Sequence, residues 1–189
     1  MKFSSSCLDT DTKGDEMASQ PQHTTFLERN AQYVASFGDK GSLALPPARK
    51  LAIVTCMDAR LDPEAHLGLK EGDAHIIRNA GGVAKEALRS LILSQRLLGT
   101  REIAVFHHTD CGMLTFTAPD VQAIIKDAAP GNAEIAARVE AIDWLDFKDL
   151  EKAVKDDVAY LKSEPLILEG TPVTGWVYDV GTGKITQVA

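Results

Sequence analysis

The run Leu51-Ala52-Ile53-Val54-Thr55-Cys56 is short, almost wholly apolar and partly β-branched. It shows no alternation of polar and apolar positions, which is how a strand buried on both faces reads. Upstream, Gly38 to Pro47 is a loop by its Gly, Ser and Pro content. Downstream, Asp62-Pro63-Glu64 has the order of an N-cap, a first-turn proline and a first-turn acid, so a short helix is expected to start there and stop near Gly68. Ala74-His75-Ile76-Ile77-Arg78 is a second strand. Gly81-Gly82 break the chain, and Ala84, Ala87, Leu88, Leu91, Ile92 and Leu98 mark a long helix closed by Gly99. Glu102 to His107 is a third strand. Strand, helix, strand, helix, strand at these lengths predicts an α/β fold: a central, mainly parallel β-sheet flanked by helices.

Further out, Thr25-x-x-Glu28 is a capping-box signature, followed by Leu27, Ala31 and Val34 at helical spacing. This predicts an N-terminal helical arm whose apolar stripe has few partners nearby. Residues 1–22 are polar and acidic, with too little apolar surface to offset ordering entropy. They are expected to form a disordered tail, with residues 23–189 as the folded domain. Toward the other end, helices are expected over Asp120–Ala128, Asn132–Val139 and Asp149–Lys162. The period then switches to two, and Val173–Val180, the turn Gly181-Thr182-Gly183 and Ile185–Val188 read as a C-terminal strand pair.

With 189 residues, 44% hydrophobic and 25% charged, the chain suits one well-buried domain. A net charge of −7 leaves no basic footprint for phosphates, which argues against nucleic acid or an anionic membrane as partner. No apolar run reaches the ~18 residues of a membrane span. The first residues lack the apolar stretch of a secretory signal, and Asp9, Asp11, Asp15 and Glu16 argue against a mitochondrial presequence, so a cytoplasmic protein is expected. Cys7, Cys56 and Cys111 are too few for a disulfide framework, which directs attention to metal or nucleophile chemistry.

Ligands of open parallel sheets bind outside the carboxyl ends of the strands. Cys56-Met57-Asp58-Ala59-Arg60 ends the first strand here, and His107-His108-Thr109-Asp110-Cys111-Gly112 ends the third. Cys56, His108 and Cys111 then stand at one edge of the sheet, two thiolates and an imidazole, which are the soft ligands that zinc takes tetrahedrally. Three protein ligands leave a fourth position open, the mark of a catalytic site. The plainer reading is that the cysteines pack as small hydrophobes and that Asp58 and Arg60 form a loop ion pair. Gly81 and Gly82 serve either as turn punctuation or as a close backbone approach to a small ligand. Gly112 permits a tight turn, and Val83, Met113 and Leu114 are candidates for an apolar wall or simply for core. His107 is expected to point away from His108 along the strand, as a core histidine. Asp110 either orients His108 or caps the helix that follows. Cys7 reads as an incidental thiol.

Taken together, CMDAR at Cys56–Arg60, RNAGG at Arg78–Gly82 and HTDCG at His108–Gly112 resemble the β-class carbonic anhydrases, in the short form that also includes carbonyl sulfide hydrolases. The resemblance is close from Leu51 to Gly112 and looser through the final hairpin. It implies that Cys56, His108 and Cys111 bind one Zn2+ per chain and that Asp58 and Arg60 form a dyad beside it. It further implies reversible hydration of carbon dioxide to bicarbonate, by attack of hydroxide generated at the zinc on a small uncharged substrate. The alternative on the same site is hydrolysis of carbonyl sulfide to hydrogen sulfide and carbon dioxide. A homodimer or homotetramer, with the N-terminal helix embracing its neighbour, is also implied. A non-catalytic zinc module would need Asp58 as a permanent fourth ligand. A nucleotide-binding domain would need a Gly-x-Gly-x-x-Gly or a Walker lysine that the sequence lacks.

Overall fold

The computed structural model describes residues 21–189. Apart from Pro21 and Gln22 the expected tail lies outside the described residues, as does Cys7. The chain forms two compact units, one reaching Leu43 and the other spanning Ala44–Ala189. In the first, helix α1 (Phe26–Ala35) follows a 3-10 turn over Gln22–Thr25 and buries none of its residues. The capping box expected at Thr25 does not form. The preceding turn places Thr25 in helical backbone (φ −99°, ψ −4°), and its hydroxyl instead donates to the Gln22 carbonyl at 3.0 Å.

The second unit is built on a five-stranded sheet in the order β2-β1-β3-β4-β5. β1 (Leu51–Cys56), β2 (Ala74–Asn79), β3 (Glu102–His108) and β4 (Val173–Tyr178) are parallel, and β5 (Ile185–Gln187) returns antiparallel to β4. Val54 pairs with both Ile77 and Val105, so β1 is flanked on each side, as its unbroken apolar run requires. Helix α2 (Pro63–Leu67) begins as the sequence predicts: Asp62 accepts from the Ala65 N–H at 3.1 Å, Pro63 occupies the first turn, and Gly68 closes it left-handed at φ 62°.

Period-two alternation sorts the strands' side chains onto two faces. Ala52, Val54, Ile103 and Val105 pack with Ala84, Ala87 and Leu91 of α3 (Ala84–Arg96) and with Val158 and Leu161 of α6 (Leu150–Ser163). Ile53, Ala104 and Phe106 face the other way and meet Leu67 of α2, Leu69 and Trp176. Helices α4 (Ala118–Ala128) and α5 (Ala133–Glu140) follow β3. A cap does form at α4, where Asp120 accepts from both the Thr117 N–H (2.7 Å) and its hydroxyl (2.6 Å).

The chain leaves β1 to one side for β2 and, after α3, comes back past it to β3. The strand order therefore reverses between β1 and β3, and there the loops after the two strands diverge and leave a crevice. No helix among the described residues is long and apolar enough to cross a membrane.

Candidate active site

The crevice holds the cluster. Cys56 is the last residue of β1 and His108 the last of β3. Between His108 and Cys111 the chain doubles back through Asp110, whose φ of +54° lies in the left-handed region that Asp tolerates better than most residues. The turn brings the Cys111 Sγ to 4.0 Å from the Cys56 Sγ, and the ligating atoms of Cys56, His108 and Cys111 all lie within 4.8 Å of one another. All three residues are buried. The Nδ1 of His108 bonds the Thr109 carbonyl at 2.9 Å, which turns Nε2 toward the sulfurs, and this Nε2 is buried without a hydrogen-bond partner among the described residues. Asp110 thus plays neither role considered for it on sequence grounds.

The donor set fits a metal. Two sulfurs each ~2.3 Å from a tetrahedral zinc stand about 3.8 Å apart, close to the separation found here. An orphaned buried nitrogen costs free energy that a bond to a cation would return. Electrostatics point the same way. The Cys56 thiol is pulled down to about 4 by its hydrogen bond with Cys111, against burial and with help from His108 and the backbone N–H groups of Asp58 and Gly81. Cys111 is pushed up in turn by the Cys56 thiolate and by burial. Burial lowers the pKa of His108, but the hydrogen bond and charge of Cys56, together with the Thr109 carbonyl and Asp58, raise it overall. A pair of thiols that holds one anion and resists a second is in want of a cation.

Beside the cluster, Arg60 forks onto Asp58, with Nε to Oδ1 at 3.0 Å and Nη2 to Oδ2 at 2.7 Å. The Asp58 carboxyl is accordingly held well below the usual carboxylate range and the guanidinium raised above its own. The Oδ2 of Asp58 is 3.8 Å from the His108 Nε2. Arg60 also donates from Nη1 to Asp110 at 2.7 Å, so the dyad expected from sequence is a triad of two carboxylates on one guanidinium. Arg78 locks the loop beneath it by donating to the carbonyls of Cys56 (3.0 Å), Asp58 (2.6 Å) and Leu61 (3.2 Å).

A cavity of about 550 Å³ opens on Cys56, Asp58 and Cys111. Gly81, Gly112 and Met113 line it, as the sequence suggests. Gly82, Val83 and Leu114 do not. Gly82 lies against the backbone of β1 and β3, Val83 is buried, and Leu114 packs on the Cys56–Met113 cluster. The rest of the wall is Met57, Ala80, Phe116, Val121 and Trp144, with Thr115, whose hydroxyl is engaged with the Gly112 carbonyl at 2.7 Å. Phe116 follows Cys111 within a few residues, Val121 lies in α4 and Trp144 comes from well beyond, and no motif marks them. A larger cavity of about 730 Å³ lies beside Val173 at the start of β4, away from this chemistry.

An apolar chamber that opens on two thiols of a buried Cys-His-Cys cluster, with an ionised carboxylate at its side, is the site of an enzyme for a small molecule. The carbonic anhydrase family model matches residues 51–185, and the chain belongs to the β-carbonic anhydrase family. Beta-carbonic anhydrase 1 of Mycobacterium tuberculosis is 45% identical over 166 residues, which cover 86% of this chain and 95% of that one. The solved carbonic anhydrase from Glaciozyma antarctica is 54% identical, with a TM-score of 0.82 over 86% of this chain and 95% of its own. A carbon disulfide hydrolase of an Acidianus species is 38% identical over 161 residues, 76% of this chain and 79% of that protein.

Proposed function

We propose that the chain is a zinc enzyme that reversibly hydrates carbon dioxide to bicarbonate, with Cys56, His108 and Cys111 as ligands of one zinc per chain and Asp58 and Arg60 as the catalytic pair. The observation that carries this is the ionised Asp58 carboxylate 3.8 Å from the ligand nitrogen of His108, at the wall of an apolar chamber. Zinc held by the triad supplies a Lewis acid that makes water acidic enough to yield hydroxide near neutral pH.

The chain's own groups do the rest. An ionised carboxylate only accepts hydrogen bonds, so Asp58 takes the O–H of the nucleophile and turns its lone pair toward the substrate carbon. The fork from Arg60 fixes that carboxylate's plane, and Arg78 fixes the loop carrying both. Asp58 is too acidic to store the proton that hydration releases, so it orients and does not relay. Met57, Met113, Phe116, Val121 and Trp144 offer a linear apolar molecule contact without competing for its oxygens. Gly81 and Gly112 keep side chains out of the chamber, and Gly82, Val83 and Leu114 support it from outside.

The same apolar wall and the likeness to carbon disulfide hydrolases favour a second reading, in which the site hydrolyses carbonyl sulfide to hydrogen sulfide and carbon dioxide. Steady-state kinetics of metal-quantified protein on carbon dioxide and carbonyl sulfide, side by side, tests both. Faster turnover of carbonyl sulfide than of carbon dioxide would overturn the first reading. We further place the enzyme in the cytoplasm as a homodimer or homotetramer. Support for assembly comes from α1, whose Leu27 and Val34 remain exposed and suit a second subunit.

A further inference from the structure

The mechanism above leaves His107 unused, although it is 1% exposed and adjacent to a proposed ligand. Its ring lies on the sheet face opposite that of His108. There Nε2 donates to the Asp157 carboxylate of α6 at 2.9 Å, and the ring stacks on Phe147 with centroids 5.0 Å apart and planes at 29°. Phe147 belongs to residues 141–149, a stretch between α5 and α6 without helix or strand, which also brings Trp144 to the wall of the chamber. Phe147 also packs against the buried cluster that contains Cys56, Leu61, Cys111 and Met113, and its Cε1 stands 3.0 Å from where a Gly81 Cβ would be.

With no place in helix or sheet, the stretch is anchored by its side chains: the Trp144 Nε1–H donates to the Val139 carbonyl at 3.3 Å, and the Lys148 ammonium donates to the Phe116 carbonyl. Its ion pair, Lys85 to Asp143 at 2.6 Å, joins two exposed groups and contributes little. Leu145 sits at φ +52°, a conformation that persists only when the surroundings impose it. The stack on His107 is the contact made at a nearly inaccessible ring that is itself anchored by a hydrogen bond. We propose that His107, held by Asp157, is a positioning residue: it seats Phe147 and thereby fixes the Trp144 wall over the Cys56–His108–Cys111 edge. It acts through packing and touches neither ligand atoms nor substrate.

The inference rests on the hydration reading only for its kinetic arm. Asp157→Ala frees the His107 ring, whereas Asp157→Asn keeps an oxygen that accepts the same hydrogen bond. Phe147→Leu removes the stacked ring and leaves the His107–Asp157 pair, which settles the matter should Asp157→Ala fail to fold. The readouts are zinc per chain, kcat and KM for carbon dioxide, and the indole N–H resonance of Trp144, assigned by its loss in Trp144→Phe. In Asp157→Ala and in Phe147→Leu the Trp144 resonance is expected to move while that of Trp176 stays. KM should rise on the order of tenfold with kcat within about twofold and zinc unchanged, because displacing a wall loosens substrate placement more than the chemistry. Asp157→Asn should restore most of the loss. An unmoved Trp144 resonance, a moved resonance with KM unchanged, or losses that merely follow zinc content would overturn the proposal. A wild-type protein inactive on carbon dioxide would overturn the functional reading instead, and the resonance arm would still decide this one.

Discussion

A single methyl group on Gly82 tests how tightly the cluster is seated. Gly82 has φ +74°, and a Cβ built there would lie 2.7 Å from the Phe106 carbonyl oxygen, 2.9 Å from the Cys56 nitrogen and 2.9 Å from the Thr55 carbonyl carbon. These are backbone atoms of β1 and β3, paired to each other in the middle of the sheet, so none can rotate aside as a side-chain end would. Left-handed backbone at a residue with a Cβ costs about 1–2 kcal/mol. Overpacking against rigid neighbours adds about 1–3 kcal/mol. Gly82→Ala should therefore lose about 2–5 kcal/mol out of a typical total of ~5–15 kcal/mol, and melt on the order of 10 °C lower. Gly81→Ala is the control. Its φ is similarly positive at +83°, but the added Cβ meets side-chain atoms, the Met113 Cγ and Phe147 Cε1 at 3.0 Å, rather than strand backbone. Urea denaturation followed by circular dichroism, on both variants with zinc quantified, measures the difference. A loss in Gly82→Ala below about 1 kcal/mol, or one no larger than in Gly81→Ala, would refute the close-approach argument.

Asp58→Ala should keep its zinc, since Cys56, His108 and Cys111 remain, yet lose about 10²-fold or more in carbon dioxide hydration; weakened metal with unchanged activity would mark Asp58 as a ligand instead. The His66 ring lies tilted against Tyr178, with centroids 4.6 Å apart and both ring nitrogens buried and unpartnered among the described residues, and burial lowers its pKa from 6.5 in spite of Asp62. The fold favours the neutral ring, so its contribution is intact above pH 6.5 and is lost as pH falls from there toward the folded-state value. Wild-type stability should thus decline below pH 6.5 relative to His66→Phe, and parallel urea midpoints from pH 8 to 5 would contradict this. Removing residues 1–20 should leave the oligomer intact and removal through Phe37 should dissociate it, as read by light scattering; a monomeric parent protein would rule that out.

The strands were legible because burial on both faces writes itself as an unbroken apolar run, and Leu51–Cys56 could hardly be anything else. Its end, and the end of β3, were legible for a different reason: polar and sulfur-bearing residues following such a run have to lie at the sheet's edge. Cap geometry was read less well. The Thr25 motif met the pattern, but a preceding 3-10 turn had already placed its backbone in the helical region; at Thr117 and Asp120 the acid is an aspartate, outside the usual Glu or Gln pattern. Asp110 escaped because its partner, Arg60, lies fifty residues away and only the tertiary fold brings them together. The chamber's wall was hidden for the same reason. Phe116, Val121 and Trp144 are ordinary apolar residues in their local sequence, and their proximity to Cys56 depends on how α4 and residues 141–149 pack.

A second carboxylate on Arg60 has a mechanical reading. The site's two carboxylates, Asp58 and Asp110, are matched by two guanidinia: Arg60, which both of them bind, and Arg78, which lies on the Cys56, Asp58 and Leu61 carbonyls. Net charge therefore gives no reason for the second acid, and geometry does. Asp110 reaches Arg60 from the side away from Asp58, with its own side chain 76% exposed. Under the proposed mechanism Arg60 thus stays paired on its outer side whenever Asp58 accepts a bond from the nucleophile, so the guanidinium remains where it fixes the carboxylate's plane. A reading of the dyad alone leaves this support half accounted for.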